Sequence, residues 1–240
     1  MKTATLLITN LPHSRQAGIA YNLAEAIAKA GWDINGIVFY DRGVLYAKRN
    51  QYYPESWEKF RTSHSPLYVC INDALKYKII DHSSEIVPNY TLTSIQELFK
   101  LLEKSDCLIH SNREIKTLAE IEENTVKRDS NKSLLFIIQA SPITNHNSQV
   151  AFDLLLQASS FEFDIQIVFI NNGVFQLYSG LNNSKKWKGL KLLEISKLYI
   201  DENDLKLREI NVNQLLLPVK LINRDILETM KNEFDFIFEF

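Results

Sequence analysis

The residue with the clearest chemical potential is Cys70, which lies in the stretch 67–81. An apolar run of strand-forming residues, 67–69, precedes it, and Asn72 and Asp73, which favour helix starts, follow it. The sequence therefore predicts that Cys70 lies where a strand passes into a helix. Unpaired N–H groups at a helix start favour negative charge, so we expect a lowered thiol pKa and a thiolate that attacks and carries sulfur.

The other candidate residues point to simpler roles. An isolated cysteine is often a small buried hydrophobic residue, and Cys107, in a short apolar stretch, is expected to be one. Asp73 is interpreted as a helix-start carboxylate that points away from the sulfur, because a nearby negative charge would oppose thiolate formation. No paired spacing occurs among the histidines, so no metal site is expected. The histidines are His13, His64, His82, His110 and His146.

Composition and charge exclude several classes of protein. The 240 residues are 45% hydrophobic and 23% charged, and the formal net charge of -2 gives no general attraction to nucleic acid or membranes. Two cysteines supply no disulfide framework and suit a reducing compartment, so a cytoplasmic location is expected. The sequence shows neither a signal peptide nor the roughly 18 consecutive apolar residues of a membrane span.

Predicted strands alternate with predicted helices along the chain. The first-half strands are predicted at residues 4–10, 34–40, 67–69 and 106–110. The first helix is predicted to begin at Ser14 and to end at Gly31, and a later helix to begin at Thr93 or Ser94. The predicted buried face of the first helix comprises Ile19, Leu23, Ala24 and Ile27. This alternation predicts an α/β fold with a parallel sheet, and alternating phenylalanines at 234–240 predict a terminal strand.

An internal repeat organises the chain. Short segments recur in one order with a shift of 130 or 131 residues, such as 43–44 with 173–174 and 67–69 with 198–200. The sequence therefore predicts two copies of one fold, residues 1–112 and 132–240, joined by the charged linker 113–131.

The repeat aligns Cys70 with Asp201, and the second copy contains no cysteine. Thiol chemistry is therefore assigned to the first copy. Because a charged residue stands at the equivalent place, we expect the Cys70 position not to be deeply buried.

These residues resemble the DsrE-type sulfur relay proteins. In the first half, the run VFYDRGV (38–44) resembles the second strand of the TusD-type members, and Cys70 with Ala74 and Leu75 resembles their active cysteine segment. In the second half, the run VFINNGVFQL (168–177) resembles the TusC-type, or DsrF-type, members. The chain thus resembles a TusD–TusC fusion of two subunits that are ordinarily separate chains.

The resemblance implies a fold, an activity and partners. It implies two tandem DsrE-like domains, Rossmann-like, each with a mainly parallel sheet and helices on both faces. It implies a sulfurtransferase in which Cys70 receives a persulfide from a TusA-like donor and passes it to a TusE-like acceptor, for 2-thiolation of the tRNA wobble uridine. A DsrH-type (TusB-like) third subunit and an oligomer are implied as well, with no cofactor, no metal and no direct contact with nucleic acid.

Other functions stay open on the sequence alone. The chain would also suit a non-catalytic structural subunit of a DsrEFH-like assembly, or a sulfur carrier in sulfur oxidation. A nucleotide- or flavin-binding protein is disfavoured, because neither 10–18 nor 140–148 supplies the glycine-rich phosphate-binding turn. Trp187 and its neighbouring lysines 185, 186 and 188 form a small basic, aromatic patch of a kind that contacts RNA.

Overall fold

The computed structural model describes residues 2–48, 57–61, 66–80, 89–113, 119, 121, 132–143 and 146–240. The chain divides into two compact units, Met1–Lys127 and Arg128–Phe240. Each unit is built around one five-stranded sheet whose paired strands all run parallel. The predicted α/β fold of two tandem domains is confirmed. No helix in the described part of the chain is long and apolar enough to cross a membrane.

The first unit places its sheet in the order β4-β3-β2-β1-β5. Its elements are β1 (Thr3–Ile8), α1 (Arg15–Lys29), β2 (Asp33–Phe39), 3-10 helices at Asp41–Ala47 and Trp57–Phe60, β3 (Leu67–Cys70), α2 (Ile71–Lys76), β4 (Tyr90–Thr93), α3 (Gln96–Leu102) and β5 (Cys107–His110). The interior strand β1, which lies between β2 and β5, is almost wholly buried, as its uninterrupted apolar run predicts.

Helix α1 forms for the reasons that its sequence indicates. The Ser14 hydroxyl accepts the N–H of Ala17 at 3.2 Å, and Gly31 follows the helix with φ of 80°. The buried face comprises Ala17, Ala20, Leu23, Ala24 and Ile27. Ile19, predicted on that face, is exposed instead, because the buried stripe follows the small residues Ala17, Ala20 and Ala24 onto the sheet.

The second unit repeats this arrangement. Its elements are β6 (Ser133–Ile138), α4 (Asn147–Ala158), β7 (Asp164–Phe169), 3-10 helices at Asn171–Leu177, Asn182–Lys191 and Val212–Gln214, β8 (Leu198–Asp201), α5 (Glu202–Leu207), β9 (Lys220–Ile222), α6 (Arg224–Glu233) and β10 (Phe236–Glu239). The sheet order is β10-β6-β7-β8-β9, so each strand occupies the place of its counterpart in the first unit.

The repeat extends to unusual backbone geometry. Asp41 and Asn171, 130 residues apart, have φ of 49° and 51°, in the left-handed region that few residues other than glycine adopt. Two residues after each stands a glycine, Gly43 or Gly173. An added Cβ at Gly43 would overlap the carbonyl oxygen of Ile8 at the end of β1, and an added Cβ at Gly173 would overlap that of Ile138 at the end of the strand Ser133–Ile138. The close approach of this turn to the sheet therefore requires glycine in both units.

Several predicted boundaries need correction. The edge strands β4 and β9 were not predicted. Helix α3 does not begin at Thr93 or Ser94, because Thr93 completes β4 and Ile95 is the N-cap residue. The predicted terminal strand is confirmed as β10, whose Phe238 ring stacks on Phe136 with centroids 4.7 Å apart. Most of the predicted linker 113–131 lies outside the described residues, and its boundaries stay a prediction.

Candidate functional site

Cys70 lies where the sequence predicts, at the junction of a strand and a helix. It is the last residue of β3 and the N-cap residue of α2. Its strand is the second from one edge of the sheet, between β2 and β4. The carboxyl end of a parallel strand is where such sheets place reacting groups, so the position suits chemistry.

Two expectations about the sulfur are wrong: that Cys70 is not deeply buried, and that its thiol pKa is lowered. Cys70 is only 1% exposed, and burial raises the pKa of its thiol to about 11. The N–H groups of Asp73 and Asn72 face the sulfur and act to lower the pKa, but Cys70 accepts no capping hydrogen bond of ordinary geometry. In this conformation the desolvation of the thiolate therefore outweighs the favourable helix start.

Asp73 lies beside the sulfur, contrary to the expectation that it points away. Its carboxylate is within hydrogen-bonding reach of Cys70, and its negative charge adds to the rise in the thiol pKa. A contact from the preceding turn holds it there: Asp73 Oδ2 accepts the backbone N–H of Asp41 at 2.8 Å, which fixes the side chain under the helix start. Burial also raises the pKa of Asp73 itself.

A small polar network surrounds this pair. Tyr77 OH donates to Asp41 Oδ1 at 2.6 Å, and Lys76 Nζ lies 3.6 Å from the same oxygen and 3.9 Å from Asp73 Oδ1. Asp41 and Asp73 are buried, whereas Lys76 is exposed. One ammonium group thus lies between the two carboxylates. The sequence analysis did not single out Asp41 or Tyr77 as site residues. The repeat offered a signal for Asp41, because it aligns Asp41 with Asn171 and each of them lies two residues before a glycine.

The second unit holds an ion-paired cluster at the equivalent place. Asp201 is the N-cap residue of α5, and its Oδ1 accepts the N–H of Asp204 at 2.8 Å. Arg224 Nε lies 3.2 Å from Asp201 Oδ2, and another nitrogen of Arg224 lies 2.6 Å from Asp204 Oδ2. Arg208 lies 3.0 Å from Asp204 Oδ1. Two arginines therefore compensate the two carboxylates.

This cluster corrects the inference drawn from the repeat about burial. Asp201 is 1% exposed, as is Cys70, so the charged residue does not mark an accessible position. A carboxylate is tolerated there because Arg224 places a positive charge 3.2 Å from Oδ2 and the Asp204 N–H donates to Oδ1. Arg224 lies two residues after β9. The residue at the same place after β4 in the first unit is Ile95, which carries no charge.

The remaining candidates are structural. Cys107 is buried, as predicted, and burial raises its thiol pKa to about 12. Trp187 is not part of a surface patch: it is fully buried, and its Nε1 donates to Gln176 Oε1 at 2.8 Å. Within the described ranges, no three His, Cys, Asp or Glu side chains are grouped to hold a metal ion. His64 and His82 lie outside those ranges.

A comparison with protein families decides the relationship. The model described as "DsrE/DsrF-like family" matches residues 2–110 and, a second time, residues 132–240. The chain belongs to the DsrE/DsrF-like family. The two matches coincide with the two sheets, so both copies of the internal repeat are family domains.

Individual relatives agree with this assignment. The "Protein TusC homolog" of Aliivibrio fischeri is 31% identical over 104 residues, which cover 40% of this chain and 88% of the relative. The protein of the same name from Pseudomonas aeruginosa is 23% identical over 112 residues, covering 43% and 94%. Another, from Vibrio vulnificus, is 26% identical over 98 residues, covering 38% and 83%. Each relative corresponds to less than half of this chain.

Proposed function

We propose that this sulfur relay component is a sulfurtransferase subunit that carries a persulfide on Cys70. The observation that supports the proposal is the difference between the two family domains at one backbone position. In the second unit that position holds Asp201, tied to Arg224, whereas in the first unit it holds a thiol, and Ile95 stands where the second unit has Arg224. The first unit would then be the TusD-like, sulfur-carrying half and the second a TusC-like, supporting half.

The chemistry requires no group beyond two thiols and a persulfide. The Cys70 thiolate attacks the outer sulfur of a donor persulfide, a new S–S bond forms, and the donor S–S bond breaks. Its electron pair leaves with the donor cysteine, which takes up the proton that Cys70 gave up. The second step is the mirror image: an acceptor thiolate attacks the outer sulfur, and Cys70 becomes a thiol again. No net oxidation or reduction occurs in either step.

The geometry makes Cys70 of the isolated chain a protected thiol. A pKa of about 11 leaves only about 0.03% of the sulfur as thiolate at pH 7.5. Transfer therefore calls for a step that admits the donor and lowers the thiol pKa. Either a cation brought near the sulfur or displacement of the Asp73 carboxylate would lower it.

The wider role follows from the family resemblance. The proposed donor is a TusA-like protein, the proposed acceptor is TusE-like, and the final product is 2-thiouridine at the tRNA wobble position. A TusB-like third subunit and an oligomeric assembly complete the proposal. We place domain boundaries at 1–112 and 132–240, with a charged linker between them.

Intact-mass spectrometry tests the proposal. The protein is incubated with glutathione persulfide, and we expect the mass of one added sulfur atom on the wild type and on Cys107→Ser, but not on Cys70→Ser. Cys107→Ser is the matched control because Cys107 is also a buried free thiol. Sulfur addition that persists in Cys70→Ser would remove Cys70 from the mechanism.

A structural subunit is the second candidate, and the burial of Cys70 favours it. A thiol that is 1% exposed with a pKa of about 11 resembles an inert core cysteine more than a nucleophile. If neither glutathione persulfide nor a persulfide-loaded TusA-like protein adds sulfur to the wild type, this second function is the correct one.

A further inference from the structure

Helix α2 exposes two large aliphatic side chains directly after the cysteine. Ile71 is 39% exposed and Leu75 is 54% exposed. They are four residues apart, so they lie on the same face of the helix. In a helix of six residues, this face is an aliphatic surface that begins at the residue bonded to Cys70.

The second unit shows that the fold does not require this aliphatic pair. The positions that correspond to Ile71 and Leu75, 131 residues later, are Glu202 and Lys206 in helix α5. They form an exposed ion pair with Nζ and Oε1 2.6 Å apart. The same helix in the same fold is therefore stable with charged residues at both places, so the aliphatic pair calls for a reason other than folding.

The exposed charges close to the aliphatic pair are positive in the described part of the first unit. Lys78 is exposed on the same segment, and exposed Arg42 lies against Tyr77. Lys76 is exposed as well, although its ammonium group also lies near the carboxylates of Asp41 and Asp73. The carboxylates among them, Asp41 and Asp73, are buried and engaged by a backbone N–H or by Tyr77 and Lys76. A partner surface that matches this region would be apolar at its centre and acidic around it.

We infer that the Ile71–Leu75 face of α2 is the docking surface for a small acidic protein that delivers sulfur to Cys70. The inference rests on the proposed function and adds which surface recognises the donor and by what chemistry. When the donor docks, the aliphatic pair buries apolar surface on the helix that starts directly after Cys70 and excludes water from that surface. The exposed cations select an acidic donor and speed its approach. A small persulfide needs neither feature.

The two units supply the test variant. The double substitution Ile71→Glu with Leu75→Lys gives α2 the ion pair that α5 already carries, so the helix is expected to fold. The matched control reverses the pair in the other unit, Glu202→Lys with Lys206→Glu. Each protein is loaded from two sources, glutathione persulfide and a persulfide-bearing TusA-like protein, and mass spectrometry follows the added sulfur with time.

The inference predicts a selective loss. With the protein donor, the double variant of α2 is loaded at least tenfold more slowly than wild type, whereas glutathione persulfide loads both within about twofold. The control variant behaves as wild type with both donors. Lys78→Glu slows loading from the protein donor about threefold, and raising the salt from about 0.05 to 0.3 M slows the wild type with that donor alone.

The other outcomes separate the inference from the proposed function. If no donor loads the wild type, both fail. Suppose glutathione persulfide loads the wild type. If the protein donor then fails to load the wild type, or if it loads the α2 variant as fast as the wild type, the docking surface is wrong and the sulfur-carrying role stands. Equal slowing with both donors would show a distorted site and overturn the inference. So would a loss of self-association in the variant by analytical ultracentrifugation, because a second copy would then cover the face.

Discussion

The Asp73 carboxylate is expected to hold the Cys70 thiol in its protonated form, and its removal should make the thiol more acidic. Burial is the largest cause of the raised pKa, and the charge and hydrogen bond of Asp73 add to it. In Asp73→Asn the side-chain oxygen can still accept the Asp41 N–H, as Asp73 Oδ2 does at 2.8 Å, so the local backbone is retained. The amide nitrogen then replaces a carboxylate oxygen near the sulfur and can donate to a thiolate.

The size of the effect follows from the thiol pKa. A rise from 9.0 to about 11 makes Cys70 about a hundredfold less ionised at pH 7.5 than an ordinary thiol. Loss of the neighbouring charge leaves the burial in place, so we expect a partial recovery, about tenfold more thiolate, which corresponds to a fall of about one pH unit in the pKa.

Iodoacetamide alkylation of the folded protein measures this shift. Rates are recorded from pH 7 to 11 in a Cys107→Ser background, so that only Cys70 reacts. Asp204→Asn, the equivalent substitution in the cysteine-free unit, is the matched control and should leave the profile unchanged. An Asp73→Asn profile identical to that of the parent, or displaced to higher pH, would refute the reasoning that the carboxylate lies against the sulfur.

Two further predictions concern the scaffold. Burial lowers the pKa of His110 to about 3, below the unfolded value of about 6.5, so the neutral form is favoured in the folded state. Below pH 6.5 the unfolded chain binds a proton at His110 that the folded chain does not, so this residue alone should lower stability by about 1.4 kcal/mol per pH unit as the pH falls from 6.5 towards 3. Urea titrations of wild type and His110→Gln should differ by that slope. Gly43→Ala should cost roughly 1–3 kcal/mol because its Cβ overlaps the Ile8 carbonyl oxygen, whereas Gly189→Ala, whose Cβ meets no atom within 4 Å, should cost much less in the same assay.

The sequence predicted the layered fold well because interior strands of both sheets are long, buried apolar runs. Strand β1 and strand β6 are buried along almost their whole length, and such runs stand out against amphipathic helices. The repeat also predicted two copies of one fold, because segments that match in sequence were expected to occupy the same places in two sheets. The edge strands β4 and β9 escaped because they have only three or four residues, most of them not buried, whereas the edge strands β5 and β10 are mostly buried and were predicted.

The position of Cys70 was predictable, but its environment was not. Strand and helix propensities place a residue along the chain, whereas burial depends on which segments pack over it. The carboxylate of Asp73 turns toward the sulfur because the Asp41 N–H, 32 residues away in sequence, binds it. The inference from Asp201 failed for a similar reason: Arg224, which makes a buried aspartate tolerable, lies beyond the next strand.

Transfer of radiolabelled sulfur in a single turnover tests the central claim most directly. The chain is loaded with labelled persulfide and separated from the donor. One portion is digested, and peptide mapping locates the label in the chain. A second portion is mixed with a TusE-like acceptor before the same mapping. We predict that the label lies on the peptide that contains Cys70 and passes to the acceptor thiol within the same turnover. Label found on Cys107, or label on Cys70 that no acceptor removes, would contradict the account.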